Sequence, residues 1–499
     1  LKNSLHNVKC VLSDGKHKDP INMSEHLIQW REKHLNSISP SFCAAKWYNA
    51  SIHLGSGETM SCHLPLPHPI NTEQIKNNPS AIHNTDHKKQ MRKMMLEGKK
   101  PAECSYCWKV EGIGRDNPSD RIYKSEIYKP EDIRKLKDLP WDADVALKTL
   151  EISFDRQCNF ACSYCNAGYS STWAQDVEKN GAYQNFIAPG GGGGAYQSDG
   201  SWAEVNGRHL ENNPYMDAFF AWWPELSKSL DEIRVTGGEA SVSQNFWRFV
   251  DILHASDCSN LRFAVNSNLG SSEKAMEKLI GITHTLPIRE FDLYTSNESF
   301  GAHAEYIRDG LKYDIWRSNL VMFLENAKFR ACTIMMTINN LCLFSITDFF
   351  DDMMELKAKY GHHRPNLSLN MLRWPSFMSP LTLPDDIKAQ VHAKLQKWYD
   401  KNKDSPLFVE GEMSQIKRLL DYVEVLDRGH VFAPTDKNLL FVDFKSFFTQ
   451  YDERRNKNLI ETFPELAEWY KTITVQKVFT VKPLTNEGIR NYETDEYQP

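Results

Sequence analysis

LKTLEISFDRQCNFACSYC, residues 147–165, joins a strand-like run to three closely spaced cysteines. Residues 147–155 are rich in apolar and β-branched side chains over a length typical of a buried strand. Directly behind them stand Cys158, Cys162 and Cys165. Disulfides use cysteines in pairs, and structural zinc and closed iron–sulfur sites use four ligands. Three thiols on one short loop suit a site whose last position is filled by something else.

Outward from this stretch the pattern repeats. Strands are predicted at 230–237, 261–268, 288–296, 328–338 and 366–374, with helix-spaced segments such as SQNFWRFVDILHA and SSEKAMEKLIGIT between them. Alternating strands and helices imply right-handed crossovers and a parallel sheet, either doubly wound or an incomplete barrel. In both, ligands gather at the C-terminal strand ends. Those ends carry the three cysteines, Gly237-Gly238-Glu239, Asn266-Ser267-Asn268, Thr295-Ser296, Asn339-Asn340 and Arg373. Gly, Asn and Ser also serve turns and helix caps, so each site alone has a plain structural explanation. Their convergence with a cysteine cluster points to a site.

Thiolates are soft ligands for zinc, copper(I) or iron–sulfur clusters. Zinc with a remote fourth ligand and a redox dithiol are the competing readings. The CxxxCxxC spacing after a first strand, with Tyr164 before the last cysteine, resembles the signature of the radical S-adenosylmethionine (SAM) enzymes. VTGGEA, 235–240, is similar to that family's GGE motif after the second strand.

The resemblance implies a partial (β/α)6 TIM-like barrel and a four-iron four-sulfur (4Fe-4S) cluster on Cys158, Cys162 and Cys165. Its open iron would bind SAM, which is cleaved reductively to a 5′-deoxyadenosyl radical. Tyr164, Gly237, Gly238, Glu239, Asn266, Ser267, Asn268 and Ser296 are the cofactor-binding candidates on the same grounds, with the GGE segment gripping the methionyl ammonium. Arg308, in EYIRDG, matches a fourth-strand segment of the family and is also readable as a surface ion pair. Family analogy implies a peptide or small-metabolite substrate and an electron donor such as flavodoxin or ferredoxin. The reaction itself is unspecified: Asp292, Tyr294, Arg373 and a second cluster are candidates for a closing hydrogen or proton donor, and no spacing singles one out.

A second cysteine set precedes the strands. Cys104 and Cys107 form CSYC, and Cys43 and Cys62 flank SIHLGSGETMSC, which reads as a hairpin with Gly55 and Gly57 at its turn. Four cysteines can close a tetrahedral site or fill every corner of a cluster. They resemble the auxiliary SPASM or twitch modules, which usually follow the barrel, so a second 4Fe-4S cluster is expected, with structural zinc as the alternative and His63 as a substitute ligand. Cys10, Cys258, Cys332 and Cys342 read as buried small hydrophobes. The basic helix HKKQMRKMMLEGKK, 87–100, reads as a solvated face with Met91, Met94 and Met95 turned inward.

Length and composition set the outer bounds. The 499 residues are 41% hydrophobic and 25% charged, with a net charge of −6, as in globular proteins without a global field for nucleic acid. No run approaches a membrane span and LKNSLHNVKC lacks an apolar signal core. A cytoplasmic protein with no nucleic-acid or membrane partner is expected. The domains expected are an extension at 1–39, the auxiliary cysteine-ligated module at 40–146, the barrel at 147–378 and a mostly helical segment at 379–499. An insertion at about 180–214 contains IAPGGGGGAYQSDGSW (187–202), much longer than a usual βα loop; a lid and a disordered insert are equal readings. A zinc-containing binding protein, or an iron–sulfur redox partner without SAM turnover, is the alternative function.

Overall fold

Each of the six predicted strands is present in the computed structural model, which describes residues 23–113, 117–203, 213–424 and 436–475. The described strands are β1 (Asn49–His53), β2 (Glu58–Met60), β3 (His68–Pro69), β4 (Thr149–Ser153), β5 (Ala161–Cys162), β6 (Glu232–Thr236), β7 (Cys258–Ser267), β8 (Ile288–Ser296), β9 (Arg308–Asp309), β10 (Ala331–Ile338) and β11 (Asn366–Met371). All but β5 and β9 belong to a nine-stranded, mostly parallel sheet, so the fold is mixed α/β. The chain forms two compact units. The first is the described part of Leu1–Ser153 and Asn206–Ile233, the second that of Phe154–Val205 and Arg234–Pro499.

In the first unit β4 lies parallel to β1, with Ile152 opposite Ile52, and β1 turns back antiparallel into β2. The first segment of this unit ends at Ser153, the last residue of β4. The hairpin turns at Gly57, whose φ of +69° favours glycine and whose missing Cβ leaves room for the ring of Tyr215. Leu35, Phe42, Trp47, Met95, Ile133 and Leu136 form a buried core in this unit, each contributing roughly 2 kcal/mol by leaving water.

The basic helix, Asp86–Leu96, is N-capped by Thr85. Its inward face differs from the expectation: Lys88 (1% exposed) and Arg92 (0%) point in with Met95, while Met91 and Met94 are only half-buried. Hydrogen bonds offset part of the cost of burying these groups, and burial, with the Arg92 and Lys46 charges beside it, pushes the Lys88 pKa well below its ordinary value. Arg92 donates to the carbonyls of Lys46 and Ala143 and to Asn84 Oδ1; Lys88 donates to Thr59 Oγ1 at 2.8 Å and contacts His83 Nδ1 at 3.3 Å.

In the second unit the strand order is β6-β7-β8-β10-β11. The β7–β8, β8–β10 and β10–β11 pairs are all parallel. This monotonic order lacks the reversal of a doubly wound sheet. Helices Gln244–His254, Glu273–Thr285, Tyr313–Asn326 and Ile346–Tyr360 connect successive strands. β10 alternates half-buried and buried residues along ACTIMMTI, the period of a strand packed more tightly on one face. Cys258, Cys332 and Cys342 are buried as small hydrophobes; Cys10 lies outside the described residues.

The C-terminal segment is helical at Asp385–Asn402, Glu410–Glu424 and Lys437–Arg455. The described part of the glycine-rich insertion, 181–203, is bound down rather than free. Gln184 exchanges two hydrogen bonds of 2.9 Å with Gln450. The Asp443 carboxylate takes the Ile187 and Ala188 amides, and the Gly191 carbonyl takes the Ser376 amide. Among the described residues no helix is long and apolar enough to cross a membrane.

Candidate functional site

The loop after β4 places Cys158, Cys162 and Cys165 together in the second unit. All are unpaired and only partly exposed. Two glycines seat the loop. A Cβ on Gly270 would fall 2.2 Å from the ring of Phe160, and one on Gly310 2.7 Å from the same ring. Ala161 and Cys162 pair antiparallel with Asp309 and Arg308, so a two-residue ribbon pins the loop's centre.

Beneath it, three consecutive carbonyls are each held by an aromatic side chain. Tyr451 Oη donates to Ala161 O (3.4 Å), Trp173 Nε1 to Cys162 O (2.9 Å) and Tyr196 Oη to Ser163 O (2.9 Å). Those rings belong to a larger stack with Tyr183 and Phe447, and the Arg455 guanidinium lies over Trp173 and Tyr451. Thr172 Oγ1 donates to the Cys158 carbonyl at 2.6 Å, and Ser171 Oγ accepts from its amide at 3.0 Å. With its backbone groups satisfied from below, the loop is rigid where its thiols are presented.

Gly238 and Glu239 meet this loop backbone to backbone, the Gly238 amide donating to Asp155 O at 3.4 Å. Gly237 has φ +118°. The Glu239 amide donates to Gln157 O at 2.7 Å, and a Cβ on Gly238 would lie 2.2 Å from that oxygen, so only glycine permits the approach. Glu239 itself is buried at 1% exposure. It accepts from Ser241 N and Oγ, from Ser267 Oγ (2.8 Å) and from Asn268 N (2.5 Å). Three of these donors fall on Oε1 and only Asn268 N on Oε2, so Oε2 keeps one lone-pair site for a further donor. Burial raises its pKa against the pull of those hydrogen bonds. Asn268 Nδ2 donates to Asn159 Oδ1 on the cysteine loop (2.8 Å), whereas Asn266 Oδ1 is occupied by Arg234 Nε (2.9 Å).

Half-buried Ser296 ends β8 and leads into Asn297-Glu298-Ser299, all at 0% exposure. Arg308, also readable from sequence as a surface ion pair, is 4% exposed. Its Nη2 donates to Glu298 Oε2 at 2.5 Å, its Nη1 approaches Cys162 Sγ at 3.9 Å, and its guanidinium lies 5.5 Å from the centroid of the Tyr164 ring. Tyr164 Oη donates to Glu298 at 3.1 Å. Glu298 thus organises both candidates, and sequence reasoning passed over it because an isolated Glu in TSNES carries no spacing signal. Asp292 and Tyr294, proposed as donors, are engaged elsewhere: Asp292 is buried against Arg330, and Tyr294 lies under Arg234. Arg373 is exposed.

Burial pushes the Cys158 thiol up to about 12, with the neighbouring Cys162 charge adding to it. Cys162 and Cys165 are raised by the same burial, with Arg308 pulling back toward the thiolate. Three thiolates this close repel one another, so a cation must hold the deprotonated set.

In the first unit Cys43, Cys62, Cys104 and Cys107 line one cavity of ≈ 400 Å³, counting its opening to solvent, with Lys46, Ser61, Met95, Trp108, Arg121 and Lys124. All four predicted ligands therefore converge. His63 is not among the lining residues; its exposed ring stands 3.7 Å from Asp120. Burial raises Cys62, and drives Cys104 and Cys107 up to about 12. Two features of the cavity fit an anionic sulfur-rich group. Lys46, 2% exposed, carries an ammonium whose charge is felt by Cys104 and Cys62. Ser61 Oγ is buried and has no hydrogen-bond partner. Among the described residues no three His, Cys, Asp or Glu side chains are set closely enough to hold a single metal ion; a cubane takes each thiolate at a separate iron, so its ligands stand farther apart.

Compared with known proteins, the chain matches no family model, no curated protein and no solved structure.

Proposed function

We propose that the chain is a radical SAM enzyme on a partial (β/α)6 barrel, carrying a second 4Fe-4S cluster and acting on a peptide or small metabolite. One observation carries this reading. Three unpaired thiols share a rigid loop against which Gly238 packs backbone to backbone, and four further thiols converge on a separate cavity. The monotonic strand order of the second unit supports the barrel.

Cys158, Cys162 and Cys165 would hold the open cluster, with Tyr164, the 237–239 backbone, Asn266, Ser267, Asn268 and Ser296 shaping the SAM site. Such a cluster, given one electron by a carrier such as flavodoxin or ferredoxin, supplies a 5′-deoxyadenosyl radical from SAM that removes hydrogen from the substrate. The chain's own contribution is position and charge. The aromatic clamp fixes the loop, Glu239 ties the ends of β6 and β7 together, and Glu298 aims Arg308 at Cys162 Sγ. Cys43, Cys62, Cys104 and Cys107 would close the second cluster with no iron left open.

Anaerobic reconstitution tests the proposal. About eight irons per chain, broad absorbance near 400 nm and 5′-deoxyadenosine after reduction with SAM are expected. The triple Ala variant at Cys158, Cys162 and Cys165 should lose the nucleoside product and keep half the iron. Zinc in place of iron, with no 5′-deoxyadenosine, would overturn it.

A further inference from the structure

Ser61 is an odd residue to leave unpaired. The residue is 3% exposed and lines the four-cysteine cavity, its carbonyl is taken by Asn49 Nδ2 (2.6 Å), and its buried hydroxyl has no partner of its own. A buried hydroxyl without an acceptor costs free energy, and such groups are rare in folded proteins. Immediately next in the chain is Cys62, which also lines the cavity.

Lys46 adds a second donor. Its ammonium is ion-paired with Glu103, which His87 holds from the other side at 2.6 Å, so the Lys46–Glu103 pair is anchored from the surface. An ammonium has three donor positions, and Glu103 takes the one hydrogen bond this side chain makes to a side-chain acceptor here. Arg121 also lines the cavity but is committed to Glu111 and to the Phe42 carbonyl. Ser61 and Lys46 are therefore the fully buried lining donors with capacity to spare; Lys124, half-buried, also lines the cavity and its charge is felt by Cys62.

We infer that Ser61 Oγ and Lys46 Nζ donate to sulfur of the group that the four thiols hold, and so raise its reduction potential. This rests on the proposal that the group is an iron–sulfur cluster. Reduction adds one electron from an external one-electron donor and breaks no protein bond, so the cluster's sulfurs become more electron-rich. Fixed donors aimed at those sulfurs stabilise the reduced form more than the oxidised form.

The test uses the full chain with Cys158, Cys162 and Cys165 all replaced by Ala, which leaves one cluster to follow. Dithionite titration monitored by electron paramagnetic resonance gives its midpoint potential, and iron and zinc analysis gives its content. In that background S61A should keep four irons and shift the midpoint negative, by roughly three- to tenfold in the reduction equilibrium. K46M should shift it the same way, whereas S61T and K46R, which keep the hydroxyl and the charge, should stay near the parent. S61A breaks no hydrogen bond within the protein, so it reads the effect even where K46M fails to fold. Four irons with an unmoved or more positive midpoint in S61A would overturn the inference alone. Zinc, or no metal, in the parent would overturn the cluster reading beneath it.

Discussion

Replacing Asp443 with Asn should make the attachment of the glycine-rich segment indifferent to pH. Asp443 lies in helix Lys437–Arg455, fully buried, and accepts the amides of Ile187 (2.6 Å) and Ala188 (3.3 Å). Burial lifts its pKa from 3.8 to about 7, against those two hydrogen bonds. A carboxyl whose pKa is raised in the closed state binds its proton more tightly there than when the segment opens. Its contribution to closure is therefore full below about pH 4 and falls as pH rises through 7. The rise of about three units, at ~1.4 kcal/mol each, makes the loss about 4 kcal/mol. Hydrogen exchange at Ile187 and Ala188 measures local opening without requiring two-state unfolding of the whole chain. After correction for intrinsic exchange, wild-type protection should drop steeply between pH 5 and pH 8, and D443N should hold one value across that range. Equal protection of the wild type at both pH values, or a parallel fall in D443N, would refute the reasoning.

Gly238→Ala should displace the cysteine loop, because its Cβ meets the Gln157 carbonyl at 2.2 Å and neither backbone can yield cheaply; iron analysis should show the three-cysteine site emptied and the four-cysteine site filled. Tyr196→Phe removes the hydroxyl that holds Ser163 O and should cost about 1 to 2 kcal/mol, read as faster exchange across 158–165. Arg308→Met strands Glu298 in the interior and should destabilise the second unit by about 3 to 5 kcal/mol in denaturant titration, while pairing it with Glu298→Met should recover part of that loss.

What the sequence could and could not disclose follows from how far each interaction reaches. The six predicted strands are local patterns, and each recurs within a few residues of its expected bounds. The Gly57 turn and the cysteine spacings are equally local. By contrast, β1 pairs with β4 across a hundred residues, and nothing in NASIH announces a sheet strand over a free hairpin.

The inward turn of Lys88 and Arg92 was hidden for a related reason. A helix-period reading assigns charges to water, and the distant carbonyls of Lys46 and Ala143, with Asn84, His83 and Thr59, offset the cost of their burial. The site itself divides the same way. Its thiols and glycines are legible because chemistry fixes their spacing, but the groups that hold them are not. Trp173, Tyr196 and Tyr451 are scattered over about 280 residues of chain and meet beneath one loop. Glu298 and Asp443 are single carboxylates whose importance lies in being buried, a property that no pattern of neighbouring residues encodes. Ligand positions are therefore the readable part of such a site, and its rigidity and electrostatic tuning are properties of the fold.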